Sequence, residues 1–152
     1  MAETILSASK ELIHSAFFSC SRGREFWPDP FAYPDYWVEW WTGAGSNMMI
    51  DPMAVTERGE VVALLAITDY RAEHNTAELH YCAGRIHNPT SVYRKVNAIM
   101  RWLELDERLT ILYGHHNLSD KIITRTTELF GFKPFAKSGG ICYTARQMKR
   151  GN

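Results

Sequence analysis

The stretch whose reading decides the fold runs from Cys82 to Glu104, CAGRIHNPTSVYRKVNAIMRWLE, where an extended run breaks at Gly84, crosses a short loop and enters a helix. Asn88 is a helix-capping residue type and Pro89 suits the first helical position. Val92, Val96, Ile99 and Leu103 then recur with the period that lines one helical face. A strand feeding a helix through such a loop turns backbone amides and the positive helix end outward, an arrangement that attracts phosphate. Arg85 adds a cation, Thr90 and Ser91 add hydroxyls, and the amides of Thr90, Ser91 and Val92 are expected to be open to a ligand.

Just upstream, TAELHYCAG alternates. Ala77, Leu79, Tyr81 and Ala83 take one strand face, and Glu78, His80 and Cys82 take the other. Earlier still, NMMIDPMAV and EVVALLAITDY are joined by TERG, a hairpin signal because Gly59 accepts the positive φ of a tight turn. The second of these strands is almost continuously apolar and reads as central, covered on both faces, while Pro52 marks a bulge or an edge in the first. Downstream, RLTILYGHH is a further strand, Ser119 or Asp120 caps a helix through about Leu129 that Gly131 ends, and FKPFAK with GGICYTARQ forms a closing hairpin.

At the front of the chain, Leu12, Ile13, Ala16 and Phe17 predict a helix over about Ala8 to Ser19. CSRGREFWPDPFAYP reads as loop, and Pro34 opens a short helix that Gly43 or Gly45 ends. Tyr36, Trp37, Trp40 and Trp41 share one broad face of it, which reads either as a lid over a substrate groove or as packing on the sheet. The order is helix, helix, two hairpinned strands, strand, helix, strand, helix, two strands. That is a mixed α/β (α+β) layout around one central sheet, and 152 residues suit a single domain.

Composition narrows the function classes. Seventeen basic residues balance seventeen acidic ones, which argues against broad, salt-driven nucleic-acid binding and leaves only local patches such as Arg94, Lys95 and Arg101 or the terminal Lys149 and Arg150. Cys20, Cys82 and Cys142 match neither a zinc spacing nor a disulfide frame and read as reduced, buried thiols. His115 and His116 point to opposite faces of a strand, so with His74 and His87 on loops no metal is expected. The N-terminus carries no leader pattern and no run approaches the ~18 apolar residues of a membrane span. A cytoplasmic location without a membrane partner follows as the expectation.

The element order, the strand–loop–helix junction at mid-chain and the Gly131-Phe132 pair after the last helix resemble the GNAT superfamily of N-acetyltransferases, over about Glu11 to Gln147. That family carries [QR]-x-x-G-x-[GA], whose loop amides bind the pyrophosphate of acetyl-CoA. The matching register here is Arg85-Ile86-His87-Asn88-Pro89-Thr90, which keeps the arginine and replaces both glycines. Asn88 tolerates a left-handed backbone and so stands in for the first glycine, while Pro89 removes an amide. The family's later N-x-x-A-x-x-L-Y-x-x-L-G-F, with a cofactor-contacting asparagine and a tyrosine that protonates the leaving thiolate, survives only at Gly131-Phe132. Thr127 stands at the tyrosine's place, and Asn117 lies three residues before the asparagine's.

The resemblance implies a central mixed, mostly antiparallel sheet flanked by about four helices. It also implies transfer of an acetyl or acyl group from acyl-CoA, as co-substrate, to an amine acceptor within a ternary complex. In that frame Arg85, Asn88, Thr90 and Ser91 surround phosphate, Cys82 adjoins the cofactor, Asn117 lies near the pantetheine arm, Glu78 or His80 is the base, and Tyr143 replaces the missing proton donor. The alternative is a non-catalytic scaffold, similar to the phage internal virion proteins that look like degenerate acetyltransferases. Trp37, Trp40 and Trp41 would then face a second copy or a protein partner. A third reading, modification of nucleic-acid bases, is disfavoured by the neutral charge. The acceptor has no readable code, because loops such as GREFWPDPFAYP select it.

Overall fold

The computed structural model describes residues 5–20, 34–43 and 47–148, with the backbone alone for residues 5–7 and 34–36. The loop segment 21–33, the side chain of Tyr36, Gly45, and Lys149 with Arg150 therefore lie outside the described residues. In chain order the elements are β1 (Ile5–Ser7), α1 (Lys10–Ser19), α2 (Pro34–Trp41), β2 (Met48–Glu57), β3 (Glu60–Arg71), β4 (Thr76–Ala83), α3 (Pro89–Glu104), β5 (Ile111–Asn117), α4 (Lys121–Leu129), β6 (Lys133–Ser138) and β7 (Ile141–Gln147). The strands form one seven-stranded sheet in the order β1-β2-β3-β4-β5-β7-β6, antiparallel throughout except for the parallel pair β4–β5. The expected mixed, mostly antiparallel sheet with four flanking helices is thus present among the described residues.

Local sequence explains most boundaries. The β2–β3 hairpin turns through Arg58 at φ 52° and Gly59 at φ 80°, two positive values that match the right-handed twist of the flanking strands. Asn88 and Asp120 each cap the helix that follows, by accepting from the amides of Ser91 at 3.2 Å and Ile123 at 3.0 Å. Gly131 ends α4 at φ 84° and Gly43 follows α2 at φ 92°. Strand β1 is the element the sequence reading lacks. Three residues are too short to show alternation, and β1 exists only by pairing Ile5 with Val55 and Ser7 with Met53. Pro52 accordingly sits at an irregularity inside a flanked strand, where the register shifts between Ile50 and Met53, and its carbonyl accepts from the amide of Ala8 at 2.9 Å.

The central strand β3 is buried from Val61 to Thr68 and divides two apolar layers. On one side, α3 lays Val92, Val96, Ile99, Met100 and Leu103 against the sheet. On the other, Ile13, Ala16 and Phe17 of α1 meet Trp37 and Trp41 of α2 over Ala54, Leu64, Ala66 and Cys82. Trp37 is 0 % exposed, and its indole N–H donates to the carbonyl of Ile13 at 2.8 Å, which joins the two helices. Trp37 and Trp41 therefore belong to the core rather than to a docking surface, which corrects that expectation for both. Only Trp40 stays half-buried, with its ring 4.7 Å from that of His80.

Two features position the site. Strands β4 and β5 pair only at Thr76↔Ile111, Ala77↔Leu112 and Glu78↔Tyr113, and beyond that point each pairs only with its other neighbour. A fork opens from Glu78 onward. At the far end of β4, Gly84 lies directly beneath the end of α1, where an added Cβ would overlap the carbonyl of Ser19. Because that neighbour is backbone, it cannot yield as a side chain would. Gly84→Ala is expected to lower the unfolding free energy by roughly 1–3 kcal/mol in a denaturant titration.

Candidate functional site

Where the strands part, a trough opens on the α3/α4 side of the sheet. Leu79 and Tyr81 of β4, Gly114 and His116 of β5, and Ile123, Thr126, Thr127 and Phe130 from α4 and its C-terminal cap line its narrow end at the fork. It continues past Tyr81, Ile123, Thr126 and Phe130 into a groove of ≈ 380 Å³ bounded by Gly84, Arg85, Ile86, Pro89, Val92 and Tyr93. Two buried polar atoms in this trough, the Tyr93 hydroxyl and His116 Nε2, have no hydrogen-bond partner among the described residues. The junction singled out from the sequence therefore forms one end of an elongated, largely apolar cleft.

The loop itself departs from the expectation in three ways. Asn88 adopts φ −125°, not a left-handed conformation. The amides of Ser91 and Val92 are taken by the side-chain oxygen and the carbonyl of Asn88, each at 3.2 Å, which leaves Thr90 as the open amide of the three. Most important, the carboxylate of Glu57, at the end of β2, accepts from the amides of His87 and Asn88, both at 2.8 Å. The loop is an anion-binding turn, and the chain's own carboxylate is the anion it holds. No sequence signal marked Glu57, because its partner amides lie about thirty residues away.

Two further assignments are corrected. Cys82 is 1 % exposed and packs in the α1/α2 layer, because strand alternation turns it away from the face that Tyr81 and Ala83 share. Its thiol does not reach the groove. Asn117 closes β5 on the face of His115, its carbonyl accepts from the Asp120 amide at 3.1 Å, and it does not line the trough. Arg85, exposed at the groove, and Thr90 and Ser91 at the start of α3 stay where the sequence placed them.

The opposite side of the fork carries the ionisable groups. Glu78, the last paired residue of β4, opens on a cavity of ≈ 610 Å³ shared with Asp69, Tyr113, His115, Phe135 and Tyr143. Burial, then the charge of Asp69, raises the Glu78 carboxyl above its ordinary range. His115, whose Nδ1 lies 3.9 Å from Glu78 Oε1, works against that. His80 is held down to about 4, chiefly by burial and then by His115, with Asp69 opposing. Thr68 has one hydroxyl proton and donates it to Asp69 Oδ2 at 2.7 Å, so His80 Nε2, 2.8 Å from that hydroxyl, carries the proton of this contact. Tyr143 stands at the rim, with its ring 6.1 Å from that of His115.

Asp69 is the residue of this cluster that the sequence reading missed. Its signal was the end of the apolar run at Thr68-Asp69-Tyr70, and it sits at φ 56°, a conformation aspartate tolerates. Ligand atoms of Asp69, Glu78 and His80 lie within 4.8 Å of one another, the spacing of a cation site, but His80 Nε2 already donates to Thr68.

No family model matches the chain, and no curated protein matches it by sequence. Solved structures do. The chain is similar to a GNAT-family acetyltransferase from Bacillus anthracis, with 15% identity over 97% of each chain and a TM-score of 0.66. It is also similar to a spermidine N-acetyltransferase SpeG chimera from Vibrio cholerae and hSSAT, with 12% identity over 95% of each chain and a TM-score of 0.69. The aminoglycoside acetyltransferase AAC(6')-Ib in complex with coenzyme A and kanamycin matches at 13% identity, over 95% of this chain and 94% of that one, with a TM-score of 0.70. At such identities the likeness establishes the architecture, and the fold of this chain is that of the GNAT acetyltransferases.

Proposed function

We propose that the protein is an acyl-CoA-dependent N-acyltransferase, with the donor along the trough and an amine entering from the face of Glu78. The observation that carries this reading is the fork: an apolar cleft on one face of the sheet and a carboxylate on the other meet where β4 leaves β5. Structures of the same fold hold coenzyme A with an aminoglycoside, or are named for acetylating spermidine, which supports the same pairing of donor and amine.

The groups divide by their chemistry. Glu78 takes the proton of the amine, and its raised carboxyl is a better base than an ordinary surface carboxylate. The nitrogen attacks the thioester carbonyl, the C–S bond breaks, and the thiolate leaves. His80 holds its Nε2 proton on Thr68 and is a weak base at about 4, so it positions this corner rather than accepting the proton. Tyr143 borders the acceptor side. Arg85, the Thr90 amide and the hydroxyls of Thr90 and Ser91 meet the donor phosphates, while Asn117 and the Cys82 thiol take no part.

A non-catalytic scaffold, of the kind that phage virion components exemplify, is the second reading. Glu57 favours it, because a carboxylate already fills two loop amides, as does Thr127, whose hydroxyl donates to the Ile123 carbonyl at 2.7 Å.

Calorimetric titration separates the two. Acetyl-CoA and CoA are expected to bind and to raise thermal stability, by about 2.7 kcal/mol at a hundredfold excess over Kd. Loss of one phosphate contact in Arg85→Ala should weaken CoA by about tenfold. Glu57→Gln should act in the opposite sense, since it removes a negative charge beside the phosphate site. No heat and no thermal shift at millimolar ligand would retire the acyltransferase reading in favour of the scaffold, and binding without turnover on a panel of amines would leave the donor site standing and the acceptor to be found among other amines.

His80 gives a separate pH test. Its folded value of about 4 lies below the ordinary 6.5, so the unfolded chain binds the proton more readily. The stability it contributes is present above about pH 6.5 and is lost as pH falls toward 4. Melting temperatures recorded from pH 7.5 to 4 should fall more steeply in the wild type than in His80→Gln.

A further inference from the structure

His116 is a buried imidazole with an unsatisfied ring nitrogen. It is 5 % exposed, and its Nε2 has no hydrogen-bond partner among the described residues. Leaving a ring nitrogen unpaired in an apolar setting costs free energy that a ligand group can return. The imidazole lines the narrow end of the trough beside Leu79, Ile123, Phe130 and Phe132, at the fork and on the donor side of the sheet.

The threonine hydroxyl hydrogens on this wall are committed. Thr127 donates to the Ile123 carbonyl at 2.7 Å, Thr126 to the Ile122 carbonyl at 2.8 Å and Thr144 to the Gly114 carbonyl at 3.2 Å. His115 also borders this end of the trough, but its Nδ1 is turned to Glu78, 3.9 Å from Oε1. Tyr81 remains, and burial pushes its phenol further from ionisation.

The geometry points to His116 as the donor that hydrogen-bonds the thioester sulfur and stabilises the negative charge gathering there as the C–S bond breaks. This rests on the acyltransferase reading. The step balances without another reactant. The amine lone pair forms the C–N bond, the C–S electrons leave on sulfur, and the amine proton passes to Glu78 and then through solvent to the thiolate. His116 lends its Nε2–H and ends unchanged, as fixed donors aimed at developing charge do. A neutral imidazole suits that role. Burial lowers its proton affinity and His115 adds to this, against Asp120 and Glu128. Cys142 is its partner across β7.

The test compares CoA with desulfo-CoA, which lacks the sulfur, by calorimetry on the intact chain. Wild type should bind CoA up to about tenfold more tightly, the size of one net hydrogen bond. His116→Leu should bind both ligands at the desulfo-CoA affinity, His116→Gln should retain most of the preference, and Tyr81→Phe should keep it. A preference that persists in a cooperatively melting His116→Leu, or one that vanishes in Tyr81→Phe, overturns the assignment. If His116→Leu does not fold, ultraviolet titration of the thiol in CoA bound to the wild type decides. A pKa below that of free CoA is expected, and an unchanged one refutes the contact. Failure of both ligands to bind the wild type removes the acyltransferase reading itself, a result distinct from binding of both without discrimination.

Discussion

The parting of β4 from β5 after Glu78↔Tyr113 is the constraint on which the rest depends. Two strands that stop pairing leave backbone amides and carbonyls without a ladder, and such groups are stable only beside water or a ligand's polar groups. The split therefore creates a cleft through the sheet while the sheet stays one body, because β3 holds β4 from Ala63↔Ala83 to Arg71↔Thr76 and β7 holds β5 along its whole length. Groups on opposite faces meet only at the fork. The buried layers are placed to support this: α3 with the Val92-to-Leu103 stripe on one side, α1 and α2 with Trp37 on the other.

The phosphate-loop register illustrates how one local motif can keep its geometry and change its occupant. Glycines in such a loop let a phosphate approach the amides closely. Here Asn88, Pro89 and Thr90 replace them, the turn is held by Asn88 capping, and Glu57 reaches from the hairpin to the amides of His87 and Asn88. A carboxylate on two amides satisfies the loop internally. On the acyltransferase reading proposed above, donor phosphate would meet Arg85, one amide and two hydroxyls, a smaller set than an open glycine loop presents.

The sheet and its helices were largely legible in the sequence because their signals are local. Alternation in 76–84, the apolar run of β3, the caps Asn88 and Asp120 and the terminating Gly131 each act within a few residues. What the sequence hid is long-range. Strand β1 exists only by pairing with Val55, Ala54 and Met53, and Glu57 and Asp69 acquire roles only through distant partners, the loop amides of His87 and Asn88 for Glu57 and Glu78 with His80 of β4 for Asp69. The face of Cys82 was read correctly as that of Glu78 and His80, yet its use was misjudged, since alternation fixes which side a residue takes and not what covers that side. The same limit applied to Trp37 and Trp41, whose spacing favoured packing on the sheet without excluding a lid, and which α1 closes over as core.

Strand β6 ends the sheet with every residue exposed and with a register irregularity between Pro134 and Ala136. Its free edge would otherwise template the addition of a foreign strand. Proline removes a donor there, the bulge twists the backbone away, and Lys133 and Lys137 place positive charge along it. At the other margin β1 is only three residues long. The sheet thus combines an interior gap between β4 and β5 with an outer margin, at β6, built to resist sheet-to-sheet aggregation.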